Sequence, residues 1–292
     1  MLALLTDGYF DGFGIDVLPH SRLAAFVGRQ FRHVLWDGFA SWDLIQPSFM
    51  FMVGVAIPSA LASKQARGDS PARIWAQLVR RSLVLMLLGL IIVSNRLSHT
   101  NFNFADDVLP QIGLAYPFAC AAAGRGLRTQ VILAASLLVT YWLAFALHPL
   151  SAHAYASAGA AVTNGFTGFF AHWNRTGNFA AEFNRWFLNL FPRDTPFTVD
   201  TAGLTTLNFV PSIATLLFGV MTGELMRGPR SPGDKLGRLI AAGTAGVVAG
   251  IVLGYTVCPI VKPIWTPSWA IFSGGCAGLL LAAFYGTVDV LG

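Results

Sequence analysis

The sequence predicts an all-α fold, a polytopic transmembrane helix bundle of about seven spans, and three observations carry that prediction. Only 11% of the residues are charged against 54% hydrophobic, whereas soluble domains hold about 25% charged residues. Such a chain has too few ionic side chains to cover a soluble globule. Seven apolar runs succeed one another, near 43–63, 79–94, 108–124, 129–148, 207–226, 238–259 and 268–288. The connections between them alternate between basic and nearly neutral, as membrane topology requires. A single transmembrane domain over 1–292 is the simplest organisation, and no composition break marks off a soluble module.

Taken in order, the opening MLALLTDGYF lacks the basic region and cleavage site of a signal peptide. It is also shorter than the ~20 apolar residues a crossing needs, so it reads as the end of a first helix whose beginning is absent. The first run carries Pro47 and ends at Pro58, and Pro110, Pro117 and Pro211 lie in or beside later runs. A membrane helix tolerates such prolines where neighbours satisfy the freed carbonyls. The second and third runs are short for a crossing, but flanking arginines can snorkel to the interface. After the fourth run comes a 58-residue connection, 149–206, too long for a structureless loop and expected to form a partly ordered cap. Within it, Asn174-Arg175-Thr176 matches a glycosylation sequon, a pattern common by chance. No internal repeat of the kind found in many transporters is present.

Charge sets the orientation. The connection 64–81 carries Lys64, Arg67, Arg73, Arg80 and Arg81 against Asp69, 125–128 carries Arg125 and Arg128, and 227–238 carries Arg227, Arg230, Lys235 and Arg238 against Asp234. The intervening connections hold Arg96 with Asp106 and Asp107, then the nearly neutral 149–206, then Lys262 alone. The positive-inside rule makes the first set cytoplasmic and the second external, with residues 10–40 on the external side. The net charge of +5 therefore serves topology rather than nucleic-acid binding. Cys120, Cys258 and Cys276 fall in or at the end of apolar runs without CxxC or Cys/His spacing. Neither a metal site nor a disulfide framework is expected.

The functional signal is concentrated in HVLWDGFASWDLIQPSFMFMVGVAIP, 33–58, where His33, Trp36, Asp37, Trp42 and Asp43 crowd eleven positions and run straight into an apolar stretch. Ionisable groups at the mouth of a hydrophobic span are costly to desolvate and mark sites or ion pathways. An interfacial tryptophan belt accounts for Trp36 and Trp42, but not for His33 or Asp43.

This segment resembles the start of the transmembrane acyltransferase family that includes heparan-alpha-glucosaminide N-acetyltransferase and bacterial relatives of undefined substrate. The residues that carry the resemblance are His33, Trp36, Asp37 and Gly38, then Asp43, Leu44, Ile45, Pro47, Phe49, Phe51 and Gly54. VLPQIGLAY (108–116), LFGVMTGELM (217–226), VKPIWTPSW (261–269) and TVDV (287–290) follow in the order such proteins show. The family opens on a full first helix, of which Leu4–Tyr9 is the remnant, and closes with further helices beyond the equivalent of Gly292. The chain is therefore expected to be truncated at both ends.

The resemblance implies an acetyl group passing from cytosolic acetyl-CoA to a sugar amine or hydroxyl on the far side of the membrane, with His33 at the catalytic position. An imidazole titrating near ~6.5 can take a proton at neutral pH or carry the acetyl group itself. Asp43 is the candidate orienting carboxylate, and Asp7 is a further candidate. A developing oxyanion needs donors, for which Asn208, Lys262 and the indoles of Trp36 and Trp265 are candidates, with Asp37 also lining the acceptor side. An interfacial anchor is the bland alternative for Lys262. Arg80 and Arg81 are candidates for the CoA phosphates, although basic helix starts often serve topology alone. His153 and His172, in the long connection, are candidates for acceptor recognition.

The expected surroundings are a lipid bilayer, that of a bacterial inner membrane, with a sugar or glycan acceptor, no nucleic acid and no metal. A homo-oligomer is compatible with the pattern. Two rival readings use the same residues: a carrier or flippase for a sugar or lipid-linked intermediate, and an inactive truncated remnant.

Overall fold

The computed structural model describes residues 22–97, 102, 104, 107–150, 165–192, 195–200 and 202–290. The candidate first-helix remnant with Asp7, and His153, lie outside them. The named elements of the described residues are helices: α1 (Arg22–Gln30), α2 (Ile45–Ala66), α3 (Pro71–Leu97), α4 (Val108–Ala122), α5 (Leu127–Ala146), α6 (Phe179–Leu188), α7 (Phe209–Arg227), α8 (Pro232–Thr256) and α9 (Pro267–Tyr285). Short 3₁₀ turns at Ser41–Leu44, Gly168–Trp173 and Thr206–Asn208 punctuate them. Each of the seven predicted runs is a helix. Six helical segments are long and apolar enough to cross a membrane, and α4 is a shorter apolar helix. The chain is an integral membrane helix bundle.

Local chemistry explains the helix starts. The Asp107 carboxylate accepts from Leu109 N–H at 2.8 Å to begin α4, and the Asn178 amide oxygen accepts from Ala181 N–H at 2.9 Å to begin α6. Ser231 and Thr266 cap α8 and α9, each followed by a proline at the first helical position, where no amide hydrogen bond is lost. The second predicted run begins eight residues too late, because its basic first turns are helical as well. The Ser70 hydroxyl accepts from Arg73 N–H at 3.3 Å, Arg73 pairs with Asp69 at 3.4 Å, and Lys64 meets Gln77 across the α2–α3 turn. Charge on a helical turn near an interface was mistaken for a loop.

Helix α7 is the hub. It packs against α2, α4, α5 and α9, and 56% of its most apolar window is buried, against 17% for α8 at the rim. The α2–α7 contact rests on glycines. A Cβ at Gly54 would collide with the Leu216 carbonyl, and one at Gly219 with the Phe51 carbonyl and the Gly54 Cα. Small residues let membrane helices approach closely, so that packing and weak polar contacts replace the absent hydrophobic drive. Gly219→Leu is expected to separate these helices and cost about 1–3 kcal/mol, the usual range for overpacking. Thermal unfolding in detergent, followed by tryptophan fluorescence, measures it. An unchanged midpoint would show that the contact is dispensable.

The bundle has a second, aromatic cluster at one end, where Tyr141, Phe145, Trp173, Cys258, Val261 and Ile264 are buried together. The described part of 149–206 supplies its cover through the Gly168–Trp173 turn and α6. Asn174 is only 4% exposed, and its amide bonds both ways to the backbone of Phe166, at 2.6 and 3.0 Å. The sequon is thus spent on folding the cap and is closed to a glycan in the folded chain.

Candidate active site

The residues of the first motif are drawn together by a turn and a bridge. Gly38 adopts φ 94, a left-handed value that lets the chain reverse between His33 and Asp43. Its N–H donates to the carbonyl of Ile260 at 2.9 Å, and Asp37 forms an isolated antiparallel bridge with Val261. These links set the 33–43 segment against the connection between α8 and α9.

That connection is heavily anchored. Tyr141 donates its hydroxyl hydrogen to the Ile264 carbonyl at 2.9 Å, and Asn208 donates to the Pro263 carbonyl at 2.5 Å. Ser268 donates to the Pro259 carbonyl at 2.8 Å, and Trp142 to the Val257 carbonyl at 3.3 Å. Trp265 sits at φ 48, an uncommon conformation for an aromatic residue, with its side chain buried. Its N–H closes a turn onto the Lys262 carbonyl at 2.8 Å. Strain of this kind persists where the surroundings over-determine it, and here the result is a fixed position for Lys262.

Three ionisable side chains converge at the junction. Asp43 Oδ1 lies 2.7 Å from His33 Nδ1 and 3.0 Å from Lys262 Nζ, and Lys262 Nζ lies 3.0 Å from His33 Nδ1. Asp43 Oδ2 accepts from the N–H groups of Ala40 at 3.0 Å and Val34 at 3.3 Å. The side chains of Asp43, Lys262 and His33 are 2%, 15% and 54% exposed respectively. A buried carboxylate is thereby satisfied on both oxygens and presents a half-exposed imidazole outward. Burial pushes the Lys262 ammonium below the ordinary lysine range, with the Asp43 carboxylate opposing that fall. Partial burial likewise pushes the Asp37 carboxyl above its usual range, against a hydrogen bond from the Gly38 backbone.

The other sequence candidates are placed differently. The Trp36 indole N–H donates to the Trp173 carbonyl at 3.0 Å, and Arg175 stacks on its ring at 5.4 Å. The Trp265 indole donates to the Thr215 hydroxyl at 3.3 Å. The Asn208 amide is divided between Pro263 and the Thr205 hydroxyl. Of the four oxyanion candidates, the two indoles have spent their single N–H and Asn208, 3% exposed, keeps one amide hydrogen, whereas the Lys262 ammonium carries three N–H groups beside His33. His172 is half-buried in the aromatic cap, where its ring packs against Phe169 and Trp173.

A largely apolar groove of about 760 Å³ follows α2 from Ser41 and Leu44, which flank Asp43, past Phe49 and Met52 to Arg81 and Tyr116. Sixteen helical residues separate Leu44 from Ala60, both in the lining, a rise of about 24 Å. Arg81 lies over the Tyr116 ring at 5.1 Å. Arg80 is exposed and outside the groove lining. Among the described residues, no three His, Cys, Asp or Glu side chains group as a metal site. Sequence reading missed Arg175, whose guanidinium donates to the Leu35 carbonyl at 2.7 Å; an arginine in a balanced loop gives no signal. It also missed the buried Gln46–Gln111 hydrogen bond between α2 and α4.

The fold and site thus define a class: a polytopic membrane protein with a His–Asp–Lys cluster and an apolar groove along the helix that follows its aspartate. Similarity to particular proteins is local. A 64-residue stretch is 36% identical to heparan-alpha-glucosaminide N-acetyltransferase of Mus musculus, covering 22% of this chain and 10% of that enzyme. The Homo sapiens enzyme of the same name matches with the same identity and coverage. The matched stretch is therefore a tenth of the length of these relatives. No family model matches the chain.

Proposed function

We propose that this chain is a membrane-bound acyltransferase that moves an acetyl group from cytosolic acetyl-CoA to an amine or hydroxyl of a sugar or glycan on the external face. The supporting observation is the His33–Asp43–Lys262 cluster, whose Asp43 falls in the chain between Ser41 and Leu44, two lining residues of the groove that runs along α2 to Arg81. The local similarity to a named N-acetyltransferase points the same way. A bacterial inner membrane is the setting implied by resemblance to bacterial relatives.

The chemistry follows from the tautomer. Asp43, held by two backbone N–H groups and Lys262, is an acceptor, so the 2.7 Å contact puts a proton on His33 Nδ1. Nε2 then carries the lone pair. The acceptor N–H or O–H attacks the thioester carbonyl as its proton passes to Nε2. The carbon–sulfur bond breaks, and the imidazolium returns that proton to the departing thiolate. One acetyl group moves, the donor leaves as a free thiol, and the histidine is restored.

The donor approaches from the cytoplasmic end, its pantetheine arm along the groove and its phosphates near Arg81, whose planar guanidinium suits phosphate oxygens. Arg81→Gln is expected to raise the Michaelis constant for acetyl-CoA about tenfold, the loss of roughly one charge-assisted hydrogen bond. The constant for the acceptor should not change. Initial rates with each substrate varied separately decide this, and an unaltered acetyl-CoA dependence removes Arg81 from the donor site. Arg80, exposed and beside the groove rather than in it, should matter less.

Orientation has its own test. Leu190→Cys, in the exposed cap, should react with an impermeant maleimide added outside intact cells, whereas Ala66→Cys, at the α2–α3 turn, should react after lysis alone. The converse pattern inverts the topology and puts His33 in the cytosol.

A further inference from the structure

We propose that Lys262 is a positioning residue that sets the protonation of His33, holding the imidazole neutral by competing for the same carboxylate oxygen. This rests on His33 being the proton acceptor of the proposed function. The geometry that carries it is a closed triangle with edges of 2.7, 3.0 and 3.0 Å among Asp43 Oδ1, His33 Nδ1 and Lys262 Nζ.

One negative charge faces two nitrogen groups in that triangle. With His33 neutral, Nδ1–H and the ammonium both donate to Oδ1, and the cluster carries no net charge. When Nε2 gains a proton, two cations share one carboxylate at hydrogen-bond distance, and like charges within ~4–6 Å disfavour the charged form. Asp43 by itself favours the imidazolium; Lys262 takes back part of that favour. With the lysine present, proton uptake and release are more evenly balanced, as efficient acid–base catalysis demands.

Among the described residues, three other charged side chains belong to the surroundings of this segment. Asp37 lies on the bridged segment, exposed and beside Val261. Arg175, from the cap, is engaged with the Leu35 carbonyl and the Trp36 ring. Arg32 precedes His33 in the chain. Lys262 touches both members of the pair, and its backbone is clamped by the anchored connection that carries it. It reaches His33 across 229 positions of sequence, so its placement depends on the Asp37–Val261 bridge as well as on the turn at Trp265.

The test is the titration of His33 in the purified, ¹⁵N-histidine-labelled chain in lipid nanodiscs, with the resonance assigned through His33→Gln. In Lys262→Met the midpoint of proton uptake should rise by about one pH unit, the effect of removing a contacting like charge. In Lys262→Arg, which restores the cation, it should stay near that of the parent. Where acetyl transfer is measurable, the acid limb of the rate–pH profile should move with the midpoint, while the Michaelis constant for the acceptor stays fixed. An unmoved midpoint in Lys262→Met overturns the assignment, and a raised acceptor constant alongside it makes Lys262 a substrate ligand instead. Should Lys262→Met not fold, Lys262→Gln carries the same expectation, and failure of both variants to fold also overturns it in favour of a purely structural lysine. The titration needs no acyl donor. A shifted midpoint in a chain that transfers no acetyl group would keep this inference and reject the enzyme reading.

Discussion

His33→Ala is expected to lower acetyl transfer by about 10²–10⁴-fold, the usual worth of a positioned general acid–base group, with membrane insertion and donor binding unchanged. The separation of effects follows from exposure. The His33 side chain is 54% exposed and Asp43 keeps Lys262, Ala40 and Val34 as partners after the imidazole is gone. Little packing is lost, so a fall in rate reports chemistry. The measurement is single-turnover transfer of radiolabelled acetyl from acetyl-CoA to glucosamine or a hydroxyl-bearing cell-wall sugar, beside equilibrium binding of CoA. Near-normal turnover in His33→Ala would defeat the mechanism. A carrier would then be the better reading, since transport of a sugar needs polar groups in the membrane but no proton shuttle.

Much of the fold is legible in the residues because a bilayer restricts the choices. Apolar runs must become helices to satisfy their backbones, and the seven runs are seven helices. The misjudged boundary is instructive. Arg73 reads as loop, yet it rides on α3 with Arg80 and Arg81, because long basic side chains extend the interfacial end of a helix without breaking it. In the site, His33 and Asp43 are legible as a pair since both fall within one short segment and no other element is needed to see them. Lys262 is legible only as a solitary cation in a proline- and tryptophan-rich connection. Its contact with His33 depends on the Gly38–Ile260 hydrogen bond and the φ of Trp265, neither of which has a sequence signature. The same limit hides how the other candidate donors are engaged. One Asn208 amide N–H holds the Pro263 carbonyl, and the Trp265 indole N–H holds the Thr215 hydroxyl.

Asp43 should show the second large effect, and on stability as well as rate. Its carboxylate is the common acceptor for His33, Lys262 and two backbone N–H groups, with a side chain only 2% exposed. Asp43→Ala removes the anion and strands a largely buried ammonium, and breaking a buried pair from one side costs about 3–5 kcal/mol. The midpoint of thermal unfolding should fall accordingly, and transfer should fall with it. Asp43→Asn is gentler. Its amide oxygen can still accept from Ala40 and Val34, so the turn survives while the charge that holds the imidazole tautomer is lost. Its rate should drop less than that of His33→Ala, because orientation is disturbed but the proton acceptor remains. The double variant Asp43→Asn/Lys262→Met separates the two causes. If the stranded ammonium is the source of instability, adding Lys262→Met should restore part of the midpoint lost in Asp43→Asn, a coupling on the order of 0.5–3 kcal/mol for groups in direct contact. Strict additivity would mean that the carboxylate and the ammonium do not interact in the folded protein, and the three-residue cluster would have to be abandoned as a unit.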